Sequence, residues 1–216
     1  MPKTRIRQHV NPLRRKFQHQ ITPPDWHEIY SDLNLPLHLD IGCARGEFLR
    51  EMAKLQPNKN FLGIEVRQPL VELANQEKAD LGLTNLYYLF GSINYYAETL
   101  LPSLPKNSLE FITIQFPDPW FKRKHNKRRV VQPELVKILV DYLIEGGTIF
   151  LQSDIEEVAL EMRKRFVANS LLVVQHQDFW LAENPLPVPT ERELYVLEDQ
   201  KPVYRVLLKK LATREI

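Results

Sequence analysis

Short apolar runs alternate along this chain with segments of helical period. Residues 37–42 (Leu-His-Leu-Asp-Ile-Gly) read as a buried strand, and Cys43-Ala44-Arg45-Gly46 as the small-residue turn after it. Glu47–Leu55 then sets Phe48, Leu49, Met52, Ala53 and Leu55 mostly on one side, which predicts a helix. Strand, glycine turn and helix form the opening of a nucleotide-binding half-fold. Residues 61–66 make a second strand, with Glu65 near its end. Residues 69–81 are a helix opened by Pro69 and ended by Gly82. Residues 86–90 are a third strand, followed by Gly91-Ser92-Ile93-Asn94 and a short helix to about Leu101. Residues 108–116 are a fourth strand, 133–143 a helix closed by Gly146-Gly147, and 148–152 a fifth strand. Residues 155–169 are a helix, acidic early and basic late as its dipole favours. Strands at 171–175 and 203–208 complete a set of seven, with a proline-rich loop over 184–192 between them. No length remains for a helix after the last strand, so the final two are expected as an antiparallel pair at one edge. The prediction is an α/β fold: a seven-stranded, mostly parallel sheet of Rossmann-like type with an antiparallel edge strand.

Composition adds little until charge is mapped by position. The chain has 216 residues, 29 Lys or Arg and 27 Asp or Glu, for a net charge of +2. Residues 1–20 carry six bases (Lys3, Arg5, Arg7, Arg14, Arg15, Lys16) and no acid, and residues 122–129 carry six more. Without these twelve the rest holds 17 bases against 27 acids. An acidic body with two gathered cationic segments points to a polyanion partner, because clustered Lys and Arg displace condensed counterions from phosphates. Residues 1–24, basic and punctuated by prolines, read as a flexible arm ahead of a domain over 25–216, which opens on a short helix capped by Asp25. The single cysteine, Cys43, excludes an internal disulfide framework. No run approaches the roughly 20 apolar residues of a membrane span, and the N-terminus lacks a secretory signal's apolar stretch. The expectation is a cytoplasmic protein without membrane contact, either monomer or homodimer.

The candidate chemistry lies at the ends of the predicted strands. The fourth runs into Phe116-Pro117-Asp118-Pro119-Trp120-Phe121, and the basic cluster Lys122 to Arg129 follows at once. Two prolines stop the ladder and hold Asp118 on a stiff turn, where open α/β sheets bind ligands. A charge run alone reads as a solvated surface loop; joined to a proline-braced acid it reads as the active-site loop of a nucleic-acid enzyme. The turn at Gly42 lets backbone approach a ligand closely, although its pattern is not the G-x-G-x-x-G of a dinucleotide site. Asp40 and Glu65, at the ends of adjacent strands, suit an amino acid ammonium and ribose hydroxyls, and S-adenosylmethionine carries both. Asn94 could read the adenine edge or cap the next helix, and spacing leaves Ser92 as the other choice. No metal-ligand cluster and no Ser/His/Asp arrangement is visible. The lack of a base is itself informative: guanine N7 carries no proton, so its methylation needs alignment rather than deprotonation. The product ring is cationic, which gives a carboxylate at Asp118 a catalytic role.

These pieces resemble the bacterial-type tRNA (guanine-N(7)-)-methyltransferases. The resemblance rests on Asp40-Ile41-Gly42-Cys43-Ala44-Arg45-Gly46-Glu47-Phe48, on residues 61–65, and on Phe116 to Lys122 with His125 and Lys127-Arg128-Arg129. Ser153-Asp154 and Thr190-Glu191-Arg192-Glu193 complete it. It implies a class I S-adenosylmethionine-dependent methyltransferase fold and methyl transfer to a guanine in the tRNA variable loop. It implies cofactor contacts at Asp40, Glu65, Asn94 and Asp118, and substrate contacts at Lys122, Asp154, Thr190 and Glu193. His125, Lys127, Arg128 and Arg129 belong to the expected tRNA surface. The chain departs from the family at Ala44, where the turn's middle glycine is missing, and at Asn94, where an acid is common.

Two other readings stand beside this one. A nicotinamide-dependent Rossmann oxidoreductase shares the early strand, turn and Glu65 but leaves the basic loop unexplained. A non-catalytic RNA-binding module on the same fold leaves the intact acids unexplained.

Overall fold

A computed structural model describes residues 10–18 and 22–212. Seven strands form one sheet: β1 (Leu37–Ile41), β2 (Asn60–Glu65), β3 (Leu86–Phe90), β4 (Leu109–Gln115), β5 (Thr148–Ser153), β6 (Leu172–Val174) and β7 (Tyr204–Lys210). Their order is β3-β2-β1-β4-β5-β7-β6. The first five are parallel, and β7 runs antiparallel to both β5 and β6. The expected antiparallel pair is therefore at the edge, with β7 one place in and the short β6 outermost. The order reverses between β1 and β4, so their carboxyl ends flank the crevice in which such sheets bind ligands.

Helices cover both faces. Besides the short α1 (Trp26–Ile29) they are α2 (Glu47–Leu55), α3 (Gln68–Asp80), α4 (Ile93–Ser103), α5 (Pro133–Tyr142), α6 (Glu156–Val167) and α7 (Glu191–Glu198). The side chains of α4, α5 and α6 pack with Leu39, Ile41, Ile64, Ile112, Ile114 and Leu151 in one apolar core. On the other face α2 and α3 pack with Phe61, Leu86 and Tyr88 in a second. Period-2 alternation divides the strand residues between these cores. The second core stops at β2 and β3. Further along that face the strands carry Thr113, Gln115, Gln152 and Arg205, all buried.

The expected loop over 184–192 ends sooner than read, because α7 begins at Glu191. The signal was Thr190 followed three residues on by Glu193, a capping-box spacing. The Thr190 hydroxyl accepts from the Glu193 N–H at 3.1 Å. Asp25 caps α1 as expected, accepting from the His27 N–H at 2.9 Å.

Of the expected N-terminal arm, Lys3, Arg5 and Arg7 lie outside the described residues. Residues 10–18 lie against the domain: Phe17 is buried beside Phe90, their ring centroids 6.0 Å apart. No described helix is long and apolar enough to cross a membrane.

Candidate active site

The turn after β1 is held by its neighbours. Gly42 and Gly46 have φ of 88° and 75°, left-handed values that glycine adopts without strain. A Cβ on Gly46 would strike the Tyr88 ring, whose hydroxyl donates to the Gly46 carbonyl at 2.5 Å. Gly42 is different: a Cβ there would meet no protein atom within 4 Å. Ala44, where a glycine was expected, is also left-handed, with φ of 51°. Its N–H donates to Glu65 Oε2 at 3.0 Å, which fixes the turn on the end of β2. Glu65 is buried and also accepts from the Arg67 N–H at 3.0 Å and from Arg67 Nε at 2.9 Å. Cys43 is buried beneath this turn, and desolvation pushes its thiol well above the ordinary range, so it is no nucleophile.

Asp40 pairs in register with Gly63, two residues before Glu65 on β2, and is held by its neighbour on the other side, β4. Thr113 donates to Asp40 Oδ1 at 2.6 Å, and His38 Nε2 lies 2.9 Å from the same Thr113 hydroxyl. Since that hydroxyl's proton goes to Asp40, His38 must donate. Burial holds His38 neutral, with its pKa lowered to about 3. Burial likewise raises Asp40 to about 6, against the opposing hydrogen bonds from Thr113 and Gln115 and with the Glu65 charge adding to the rise.

The loop after β4 is braced at both ends. Phe116 and Trp120 flank Pro117-Asp118-Pro119 with φ of 48° and 43°, uncommon for large side chains. Trp120 is clamped by the Arg128 guanidinium, 4.9 Å from its ring, and by the edge of His125 at 5.6 Å. Arg129 turns inward: it is 7% exposed, donates to the Pro119 carbonyl at 2.8 Å, and pairs with Glu157 at 2.7 Å and with Glu161. Lys122 and Lys127 project into solvent. His125 is held below its ordinary pKa, by desolvation first and then by Arg128, Lys124 and Lys122.

Two cavities meet here. One, of about 130 Å³, is walled by Ile41, Glu65, Ser92, Asn94 and Val130, with Val10 and Pro12 of the N-terminal segment closing it. The other, of about 570 Å³, is walled by Asp40, Ala44, Glu47, Asp154, Thr190 and Glu191. Gly42, Arg67, Pro117 and Asp118 line both. Asp118 thus stands at their junction. Of the expected site residues, Gly42, Glu65, Asn94 and Asp118 line the smaller cavity, and Asp40, Gly42, Asp118, Asp154 and Thr190 the larger. Asn94 is in the first turn of α4, donating to the Val130 carbonyl at 3.0 Å, and Ser92 is buried beside it; both face the same cavity.

Two expected substrate residues point elsewhere. Arg129 is spent on α6, as described above. Glu193 is 1% exposed and paired with Arg205 at 2.7 Å. A run of bases and a four-residue motif gave no sign of which members face inward. Sequence reading also passed over Arg67, Glu47, Tyr88 and Arg205. Glu47 shares a hydrogen bond with Glu191 that raises its pKa, a pair formed only by the fold. Arg67 follows Glu65 by two residues and was legible as its partner. Asp154 pairs with Arg192, which ties β5 to the start of α7. No group of three or more His, Cys, Asp or Glu among the described residues could hold a metal ion.

Residues 34–206 match the model of a family described as "Putative methyltransferase". The "tRNA (guanine-N(7)-)-methyltransferase" of Microcystis aeruginosa is 58% identical over 97% of this chain and 99% of its own. That of Synechocystis is 54% identical over the same shares. Among solved structures, the 16S rRNA methyltransferase KamB superposes with a TM-score of 0.56 at 14% identity, covering 86% of this chain and 90% of its own. That likeness shows the methyltransferase fold. The nicotinamide and non-catalytic readings gain nothing from these relatives. Identity above half over nearly the full length of both chains leaves one assignment: this chain belongs to the tRNA (guanine-N(7)-)-methyltransferase family.

Proposed function

We propose that the chain methylates N7 of a guanine in the variable loop of tRNA, using S-adenosylmethionine, in the bacterial cytoplasm. The observation that carries the reading is Asp118 at the junction of two cavities, the smaller with apolar walls that suit the cofactor's purine and the larger with room for the rest of the cofactor and a base.

The residues fit the cofactor. Open space at Gly42 leaves room for a ligand against the backbone. Glu65 suits ribose hydroxyls once Arg67 yields part of its hold, and Asp40 suits an ammonium. Ile41, Ile64, Val66, Ile93 and Val130 make apolar walls for a purine, with Asn94 and Ser92 as polar partners at its rim. When bound, the cofactor supplies an electrophilic methyl group.

The chain's own work is alignment and electrostatics. Guanine N7 attacks without losing a proton, so no base is needed. Asp118 is fixed by two prolines and a clamped tryptophan, and it offers negative charge where the purine ring becomes cationic. Asp154, Thr190 and Glu191 line the space for the base. Lys122, Lys127 and Arg128 suit contacts to phosphates, and the His125 ring adds a hydrogen-bonding group. Arg129 holds the loop, and Glu193 holds α7.

Labelled methyl transfer to unmodified tRNA followed by nucleoside analysis tests this. 7-Methylguanosine at one variable-loop position is expected; methylation at another atom or on another RNA overturns it.

A further inference from the structure

The buried polar residues on the α2–α7 face form one continuous ladder across four strands. Asp40 on β1 lies beside Thr113 on β4, Gln115 on β4 is paired with Gln152 on β5, and Gln152 with Arg205 on β7. Gln115 Nε2 is 3.5 Å from Asp40 Oδ1, and Gln152 Nε2 donates to Gln115 Oε1 at 2.8 Å. The same Gln152 amide reaches Glu193 Oε2 at 3.1 Å, while Arg205 Nε donates to Gln152 Oε1 at 3.3 Å. Arg205 Nη2 closes the end on Glu193 Oε1 at 2.7 Å. Asn184 donates to Glu193 Oε2 at 2.6 Å, and Arg205 Nη1 to the Ala182 carbonyl at 3.0 Å, so the loop before α7 is tied to the same point. Gln152 is 0% exposed and Arg205 6%.

Such a ladder is an expensive way to fill a sheet. Apolar side chains of the same volume cover a buried face at least as well as a desolvated ion pair, and the opposite face of these strands is filled that way. What hydrogen bonds add over apolar contact is direction: each member fixes the rotamer of the next. One end of the ladder is Asp40, in the wall of the larger cavity. The other is Glu193, three residues past Thr190 in the opposite wall.

We infer that Gln115, Gln152, Arg205 and Glu193 are positioning residues for methyl transfer, holding the tRNA-facing start of α7 in register with the cofactor-facing end of β1. This rests on the reading of the site given above. It assigns Glu193 a role through Arg205 and away from RNA. Misplacement of reacting groups by about 1 Å costs up to 10²-fold in rate. Losing the ladder should therefore slow the chemical step while the exposed cations go on binding tRNA.

The test is the double variant Glu193→Leu/Arg205→Met, which replaces a buried ion pair by packing and is expected to melt near the wild type. Single-turnover rate at saturating tRNA and cofactor should fall by about 10- to 100-fold. tRNA affinity by filter retention should stay within about twofold of wild type, as expected when no contact is lost. A rate equal to wild type overturns the inference, because the pair then serves stability alone. A loss of tRNA affinity at unchanged rate also overturns it, making Glu193 an RNA contact. Gln152→Met cuts the ladder with the ion pair intact and carries the same expectations should the double variant not fold. Wild-type protein assayed alongside separates the two levels. If it methylates tRNA and both ladder variants match its rate, only the inference fails; if it does not, the reading of the site fails with it.

Discussion

Two connections leave neighbouring parallel strands at the same end of the sheet: the turn over 42–46 after β1 and the loop over 116–129 after β4. Both place non-glycine residues in left-handed backbone, Ala44 in the first and Phe116 and Trp120 in the second. They are held in different ways. The turn is fixed through its own backbone, by hydrogen bonds to the side chains of Glu65 on β2 and Tyr88 on β3. The loop is fixed by side chains: the Arg128 clamp on Trp120 and the Arg129 tie to Glu157 and Glu161 on α6. A turn built from backbone tolerates change in its side chains, whereas a loop built from side chains does not.

The sharpest break in the comparison is Asp118→Asn. Shape and loop anchors survive, but the charge proposed to face the reacting ring is gone. The saturated single-turnover rate should fall by about 10²–10³-fold, the usual loss for one preorganised electrostatic group, with tRNA affinity little changed. A wild-type rate would reduce Asp118 to a turn-former.

Next comes the division within the basic cluster. Arg129→Met removes the partner of two glutamates. Because these are less buried than the arginine itself, a loss of about 1–3 kcal/mol is expected, below that for a fully buried pair. Denaturant titration measures it. The salt dependence of tRNA binding should not change in that variant. Lys127→Ala should show the opposite pattern: unchanged stability and a salt slope lower by about 0.7–0.9. A reduced slope for Arg129→Met would return Arg129 to the RNA surface.

This cluster shows where sequence reading stops. The order of strands, turns and most helices follows from periodicity, because each strand's alternation is satisfied by whichever core it meets. The positions of Asp40, Glu65 and Asp118 at strand ends follow from the same reading. The inward turn of Arg129 and Glu193 depends on Glu157, Glu161 and Arg205, which are 12 or more residues away and met only through the fold. Arg128 beside Arg129, and Glu191 two residues before Glu193, carry the same charges as these and face cavities, so residue type alone could not separate them. The helix at 191–198 was legible from Thr190 and Glu193 but was masked by the prolines before it.

The turn's acids give a pH test of smaller size. Burial raises Asp40 to about 6, so between the ordinary carboxylate value of 3.8 and 6 the folded chain binds a proton more tightly than the unfolded one. Asp40 therefore adds stability as pH falls through that window. Cofactor affinity should move the other way, since an ammonium prefers the carboxylate. Affinity for S-adenosylhomocysteine should drop by up to about tenfold per pH unit below 6. His38 stays neutral in the folded chain down to about 3, so it leaves the affinity measurement untouched; its uptake of a proton in the unfolded chain below the ordinary value of 6.5 opposes the Asp40 gain in stability. Glu47 is raised by its contact with Glu191 and is controlled for by Glu47→Gln. Calorimetry on wild type and Asp40→Asn checks this; equal pH slopes would remove Asp40 from the cofactor site.

The smallest expected effect is Ala44→Gly, and it bears most directly on how the turn is built. A left-handed alanine costs about 1–2 kcal/mol, which glycine relieves. Glycine also widens the unfolded ensemble, at about 0.4–1 kcal/mol in the opposite direction. The net gain is about 0–1.6 kcal/mol, so the melting temperature should rise by no more than about 3–6 °C. The Ala44 N–H remains to donate to Glu65, because the donor is backbone. S-adenosylhomocysteine affinity should accordingly stay within about twofold of wild type, as expected when no hydrogen bond is lost. The matching change in the loop, Trp120→Gly, relieves the same kind of strain but deletes the ring that Arg128 and His125 clamp, and it should lose both stability and rate. If Ala44→Gly proves as damaging as Trp120→Gly, the methyl at 44 is a packing group and the turn, like the loop, is held by side chains.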